Sequence, residues 1–286
     1  MVQDRASNVD KPVFVIVPGS FSPAPFYADV VDALRSYGYE AIVETLPSSA
    51  RSPRRGEKAA TMQDDTDFFH DIVEKLADQG KDVVIVTHSY GGVPGTECSK
   101  GLSKEERKAA GKAGGISRFI YVTSVVPTPG NSLKDLMGEL VPSFINIEVS
   151  YASSEEGLVA RTAERLISGT QGEFMSHVTE DSAKLTFSDL PFEEAKVWAE
   201  RMSYHSASSF EGKLTYPGYN KIPVSYIFCE KDVILPPEFQ RSVIAGIERE
   251  SGKKVDVLRL SAAHCPNISA PQELAAIVVK AIATAG

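Results

Sequence analysis

Thr87-His88-Ser89-Tyr90-Gly91-Gly92 directly follows the apolar run Val83-Val84-Ile85-Val86-Thr87. A short Val/Ile run reads as a buried strand, and the small residues after it mark a tight turn into a helix. The hexapeptide matches the strand–turn–helix pattern G-x-S-x-G, with Thr87 where the first Gly usually stands. Such a turn forces its central residue into a strained backbone, so its neighbours must be small. Gly91 and Gly92 meet that need on the helix side, whereas Thr87 is a departure. The turn presents the Ser89 hydroxyl at the start of a helix, where backbone N–H groups point outward. The competing reading is an ordinary strand-to-helix loop with Ser as a cap.

Working outward, five more apolar runs are bounded by turn residues: Val13–Val17, Ala41–Leu46, Phe119–Val125, Val224–Cys229 and Val255–Leu260. Near-continuous hydrophobicity is how strands buried on both faces of a parallel sheet read. Helical spacing lies between them, in Phe26, Val30, Ala33, Leu34 and Tyr37, in Phe69, Ile72, Val73 and Leu76, and in Leu274, Ile277, Val278, Ala281 and Ile282. Strand alternating with helix predicts an α/β fold, a six-stranded, mostly parallel, doubly wound sheet. The alternation breaks once, between the fourth and fifth strands. About ninety structureless residues there would be implausible in a compact domain. An inserted helical cap over residues 128–222 is expected, with helical stretches at Gly157–Ser168 and Pro191–Met202 and many aromatics: Phe144, Tyr151, Phe174, Phe187, Trp198, Tyr204 and Phe210. The core then comprises residues 11–127 and 223–286.

The 286-residue chain is 42% hydrophobic and 24% charged, ordinary globular usage. A chain of this length buries roughly three quarters of its unfolded surface and needs no metal or disulfide staple. The net charge of −8 argues against nucleic acid and anionic membranes as partners. The arginines between Arg51 and Arg55 sit in a Pro/Ser loop, and the lysines from Lys100 to Lys112 are interleaved with Glu105 and Glu106, as on a solvated surface. Three cysteines, Cys98, Cys229 and Cys265, form no CxxC or metal spacing and suit reduced thiols. Met1–Asp10 is polar, and no run reaches the roughly 18 apolar residues of a membrane span. A cytoplasmic location is the expectation.

A hydroxyl needs a base, because it is a weak nucleophile at neutral pH. The histidines are His70, His88, His177, His205 and His264. His70 falls inside a predicted helix, His88 adjoins Ser89 but points elsewhere on such a turn, and His177 and His205 lie in the cap. His264 follows the last strand by four residues, in a loop able to reach the site. The base needs an acid to fix its tautomer. Asp232, just past the fifth strand, is the choice, with Glu230 in reserve; Thr123–Pro127 offers no carboxylate. The order Ser, Asp, His fits the G-x-S-x-G motif. Oxyanion donors are expected from the Tyr90 N–H and from the loop Val17-Pro18-Gly19-Ser20-Phe21-Ser22-Pro23. Gly19 permits close approach there, so Ser20 is chosen, with Phe21 the alternative. Both loops sit where the strand order reverses, the ligand-binding position of such sheets.

These segments, together with Cys229-Glu230-Lys231-Asp232 and Ala263-His264-Cys265-Pro266-Asn267, make the chain resemble the α/β-hydrolases from about Lys11 onward. More narrowly it resembles the group that includes plant salicylate-methyl-ester esterases and hydroxynitrile lyases, with fungal and bacterial relatives. The resemblance implies the α/β-hydrolase fold and a Ser89–His264–Asp232 triad. The lyases of that group carry a Thr in the oxyanion loop and a Lys after the catalytic His. The matching positions here are Gly19 and Cys265, which cannot do the work of that Thr and Lys and so argue against the lyase reading. Pro18 stands where the group often has His, a change the backbone donor tolerates.

The expectation is a serine hydrolase cleaving a small ester or lactone, with no metal and no organic cofactor, as a monomer or homodimer. Phe21, Tyr204 and His205 are the expected substrate contacts. Two rivals keep the same residues: a natural-product enzyme making or cleaving a carbon–carbon bond, and a slow-turnover ligand receptor.

Overall fold

The computed structural model describes residues 11–50, 58–138, 145–149, 160–162 and 173–283. Met1–Asp10, the loop from Arg51 to Arg55, Phe144 and Tyr151 lie outside them. In chain order the elements are β1 (Val13–Val17), α1 (Ala28–Ser36), β2 (Ala41–Val43), β3 (Ser49–Ala50), α2 (Met62–Asp78) and β4 (Asp82–His88). Next come α3 (Gly92–Glu97), α4 (Lys104–Ala109), β5 (Gly115–Val122), α5 (Leu133–Met137), β6 (Ile145–Val149) and β7 (Ala160–Thr162). They are followed by β8 (Glu173–His177), α6 (Thr179–Leu185), α7 (Phe192–Ala199), β9 (Tyr204–Ser206) and β10 (Val224–Cys229). The last are α8 (Pro237–Ser251), β11 (Asp256–Leu260), α9 (Pro266–Ser269) and α10 (Pro271–Ala283).

Six strands form one sheet in the order β11-β10-β5-β4-β1-β2, with every pairing parallel. The reason lies in β1. All five of its residues are buried. Val13, Val15 and Val17 enter one core with Phe69 and Val73 of α2 and Val243 of α8, while Phe14 and Ile16 enter the other with Leu34 of α1 and Val278 of α10. A strand covered on both faces reads as an unbroken apolar run, because alternate side chains enter different cores. All six C-terminal ends open at one edge. There, Glu230 N–H and Lys231 N–H donate to the carbonyls of Leu260 and Ala262 at 3.0 Å each, carrying the β10–β11 pairing past the strands.

The fourth strand in the sheet's chain order was expected at Phe119–Val125 and runs instead from Gly115 to Val122. It starts early because Gly115 and Ile116 pair with Asp82 and Val83, and it stops where Thr123 turns to φ 35°.

Between β5 and β10 the chain carries α5, α6 and α7, but it is not purely helical. It also supplies β6 to β9, which join β3 in an antiparallel sheet ordered β3-β9-β8-β6-β7. Most of the expected helix Gly157–Ser168 lies outside the described residues, and its described part, Ala160–Thr162, is strand. Ile145-Asn146-Ile147-Glu148-Val149 alternates apolar with polar, the two-residue period of a strand, which a search for helical aromatic spacing passes over. The expected helix at Pro191–Met202 is α7, with Pro191 at its N-cap. Among the described residues no helix is long and apolar enough to cross a membrane.

Candidate active site

β4 ends at His88, and Ser89 takes φ 50°, the left-handed region that a non-glycine residue enters at a cost of about 1–3 kcal/mol. Burying one Val or Ile stabilises by a comparable ~1.5–3 kcal/mol, and Val83, Val84, Ile85 and Val86 are all buried, so the strand holds the turn. The glycines are required by contact. A Cβ on Gly91 would lie 2.4 Å from the Pro18 carbonyl oxygen, and one on Gly92 2.3 Å from that of Val125. Thr87 is accommodated in a way the motif does not announce: a Cβ on Gly95 would lie 2.6 Å from Thr87 Cγ2. The bulk gained at the first motif position is thus balanced by a glycine inside α3. Gly95→Ala is expected to destabilise by about 1–3 kcal/mol, the overpacking range, and Thr87→Gly to relieve most of that. Urea melts of the two single variants and the double variant measure this coupling; strict additivity would refute it.

Ser89, His264 and Asp232 come together from three strand ends. Ser89 Oγ is 3.0 Å from His264 Nε2, and His264 Nδ1 is 2.7 Å from Asp232 Oδ2. A carboxylate only accepts, so Nδ1 carries the proton and Nε2 is left to accept from the Ser89 hydroxyl. The Asp232 side chain is fully buried. Its Oδ1 accepts from the N–H groups of Ile234 (2.8 Å) and Leu235 (2.9 Å), and its Oδ2 also accepts from Thr123 Oγ1. Burial raises the carboxyl's pKa, but the His264 charge and these hydrogen bonds outweigh it and leave the pKa below the ordinary value. Glu230, the reserve acid, is exposed and pairs with Arg259 at 3.3 Å. His70 lies in α2, with Nδ1 2.8 Å from the Cys98 carbonyl. His177 meets Ser182 Oγ at 2.9 Å. Cys98, Cys229 and Cys265 are buried and unpaired.

The loop after β1 passes beside the turn. A Cβ on Gly19 would stand 2.9 Å from His88 Nδ1 and 3.1 Å from Ser89 Cβ, so only glycine fits. Phe21 takes φ 59°. Among the described residues neither the Ser20 nor the Phe21 N–H has a hydrogen-bond acceptor. Tyr90 is fully buried, and its hydroxyl donates to Asp65 Oδ2 at 2.7 Å. Asp65 Oδ1 accepts from the Ser48 N–H at 2.8 Å, and burial pushes the Asp65 carboxyl up to about 6.

Ser89, Tyr90, His264, Ser20 and Phe21 open on a cavity of about 60 Å³. Its other described walls are mostly apolar, with Met137, Met202, Phe210 and Leu235 among them, and Thr186 adds a hydroxyl. No charged carboxylate, lysine or arginine is among its described lining residues. Of the three expected substrate contacts, only Phe21 lines it. Tyr204, half-buried in β9, and His205, sealed behind the wall, do not. The His205 ring has zero exposure and lies 4.9 Å from the Tyr90 ring, 5.4 Å from Phe210 and 5.5 Å from Phe21. Its Nε2 meets Ser209 Oγ at 3.1 Å, and its Nδ1 has no partner among the described residues.

Burial pushes His205 down to about 3. Unfolding restores an ordinary value near 6.5. Below pH 6.5 the unfolded chain therefore binds a proton that the native ring refuses, and stability falls as pH falls. Between pH 7 and 4 this residue alone removes about 3 kcal/mol. Relative to wild type, His205→Asn is expected to gain that amount over the same interval. Urea midpoints at the two pH values check it, and an unchanged difference would refute it.

The sequence reading assigns no role to three residues here. Thr123 donates to Asp232, Tyr27 contacts His88, and Asp189 reaches from the α6–α7 connection to the loop of His264. Asp189 Oδ2 accepts from the Ala263 N–H and from Ser269 Oγ, both at 2.8 Å.

The family model described as "Alpha/beta hydrolase family" matches residues 14–277. "Probable hydrolase R7" of Phoma sp. is 33% identical over 270 residues, covering 94% of this chain and 98% of that protein. "Polyneuridine aldehyde esterase" of Rauvolfia serpentina is 23% identical, covering 91% of this chain and 92% of that protein. A crystal structure of polyneuridine aldehyde esterase superposes with a TM-score of 0.69 at 20% identity, covering 94% of this chain and 98% of that one. "Methylesterase 7" of Arabidopsis thaliana is 24% identical, covering 93% and 95%.

Proposed function

We propose that this chain, which belongs to the alpha/beta hydrolase family, cleaves a small uncharged ester or lactone through an acyl-enzyme on Ser89. The observation that carries the reading is the line Ser89 Oγ–His264 Nε2, His264 Nδ1–Asp232 Oδ2, at 3.0 and 2.7 Å. Ser89 Oγ attacks the carbonyl carbon while His264 Nε2 takes its proton. Asp232 holds the imidazole in the accepting tautomer and stabilises the imidazolium. The N–H groups of Tyr90 and Ser20 receive the developing oxyanion. The imidazolium gives its proton to the leaving alcohol oxygen, and water, deprotonated by the same nitrogen, releases the acid. Absence of charge in the described wall supports a neutral substrate, since an ion would lose its hydration there without compensation.

The cavity's modest size, about 60 Å³, supports a short acyl group. Across p-nitrophenyl esters from acetate to octanoate, kcat/KM is expected to be highest at acetate or butyrate and at least about tenfold lower at octanoate; about 1.4 kcal/mol gives that factor. An optimum at octanoate would reject the small-substrate reading. A single burst without turnover would replace hydrolysis by the receptor or carbon–carbon reading.

A further inference from the structure

We propose that His88, held by Tyr27, is a positioning residue that ties the oxyanion loop to the backbone of His264. This rests on the reading above, in which Ser20 and His264 both serve the reaction at Ser89. The Gly19 N–H donates to Tyr27 Oη at 2.9 Å. Tyr27 Oη lies 2.7 Å from His88 Nδ1, and His88 Nε2 lies 2.7 Å from the His264 carbonyl oxygen.

The directions in this line are forced. A carbonyl only accepts, so His88 Nε2 carries the ring proton. With a neutral ring, Nδ1 must then accept, and the Tyr27 hydroxyl donates to it. That hydroxyl in turn accepts from Gly19. One unbroken chain of donors therefore runs from the residue before Ser20 to the main chain of the base. Tyr27 and His88 are both buried, so no water replaces a lost member cheaply. Burial, and then the nearby His264, push His88 down to about 3, so the ring stays neutral at working pH. The His88 and His264 rings are 5.1 Å apart. A protonated His88 would repel the imidazolium formed during catalysis and would lose its acceptor for Tyr27.

A structural role alone would not need this polarity. Removing the Tyr27 hydroxyl leaves two buried groups unpaired, the Gly19 N–H and His88 Nδ1. The expected consequence is a loosened placement of donor and base, which costs the transition state more than substrate binding.

The test compares wild type, Tyr27→Phe, His88→Leu, His88→Gln and Ser89→Ala. The readouts are the rate constant of labelling by a fluorophosphonate, kcat and KM on p-nitrophenyl acetate, and thermal melts. Tyr27→Phe and His88→Leu are expected to lose about 10- to 100-fold in labelling rate and kcat, with KM within about twofold. His88→Gln keeps an N–H for the carbonyl and an oxygen for the hydroxyl, and is expected to recover most of that loss. Tyr27→Phe or His88→Gln decides the matter if His88→Leu does not fold. Variants that label as fast as wild type, a loss confined to KM, or a His88→Gln as slow as His88→Leu would each overturn the proposal. A wild type that does not label, or a Ser89→Ala that does, instead overturns the nucleophile reading beneath it.

Discussion

Ser89→Ala is expected to lower kcat for p-nitrophenyl acetate by more than about a thousandfold while leaving the thermal melt within a few degrees of wild type. The size follows from what the variant lacks. Without Oγ no acyl-enzyme forms, and only whatever stabilisation the oxyanion donors give to attack by water remains. The fold is spared because Ser89 contributes no buried apolar bulk, and its hydroxyl bonds to His264 rather than to a structural partner. Alanine at φ 50° carries the same strain as serine. Residual activity above about one percent of wild type, some 2.7 kcal/mol of barrier, would exclude Ser89 as nucleophile.

Asp232→Asn carries the second large effect, a loss of about ten-thousandfold in kcat with KM nearly unchanged. The asparagine oxygen can replace Oδ1 as acceptor for the Ile234 and Leu235 N–H groups, whose positions do not change. Its amide nitrogen then faces His264 Nδ1 and donates. The imidazole proton moves to Nε2, the atom 3.0 Å from Ser89 Oγ, and the ring no longer accepts the serine proton. Nitrogen-15 NMR of His264 reads the tautomer directly. A variant with Nδ1 still protonated and wild-type turnover would refute the assignment of roles.

The parts of the fold legible in the sequence are those where one physical requirement acts alone. β1, β4 and β10 are buried on both faces, so their Val/Ile runs stand out. Ser89, Asp232 and His264 each follow a strand end, so their chain order and strand context point to one edge. Elsewhere requirements compete. The hydroxyls of Tyr27 and Thr123 and the carboxylate of Asp189 acquire their contacts from partners 61, 109 and 74 residues away, a separation no local pattern encodes. Gly95 looks like any small helical residue until Thr87 is placed against it. His205 was expected at the substrate because it lies in the segment over the sheet edge. In fact it is sealed beneath Phe21, Tyr90 and Phe210, where an aromatic ring fills space as well as it makes a polar contact.

The hydrogen bonds from Ala263 and Ser269 to Asp189 bear on how such an enzyme changes its substrate over evolutionary time. Thr186 and Met202, which face the cavity, lie on the same stretch of chain as the carboxylate that steadies the loop of His264. The cavity wall and the brace of the His264 loop are therefore carried by one stretch of chain. Transplanting this stretch from a relative exchanges part of the cavity wall and the brace of the His264 loop in a single event. A transplanted stretch therefore has to bring an acceptor at position 189 for the Ala263 N–H and Ser269 Oγ.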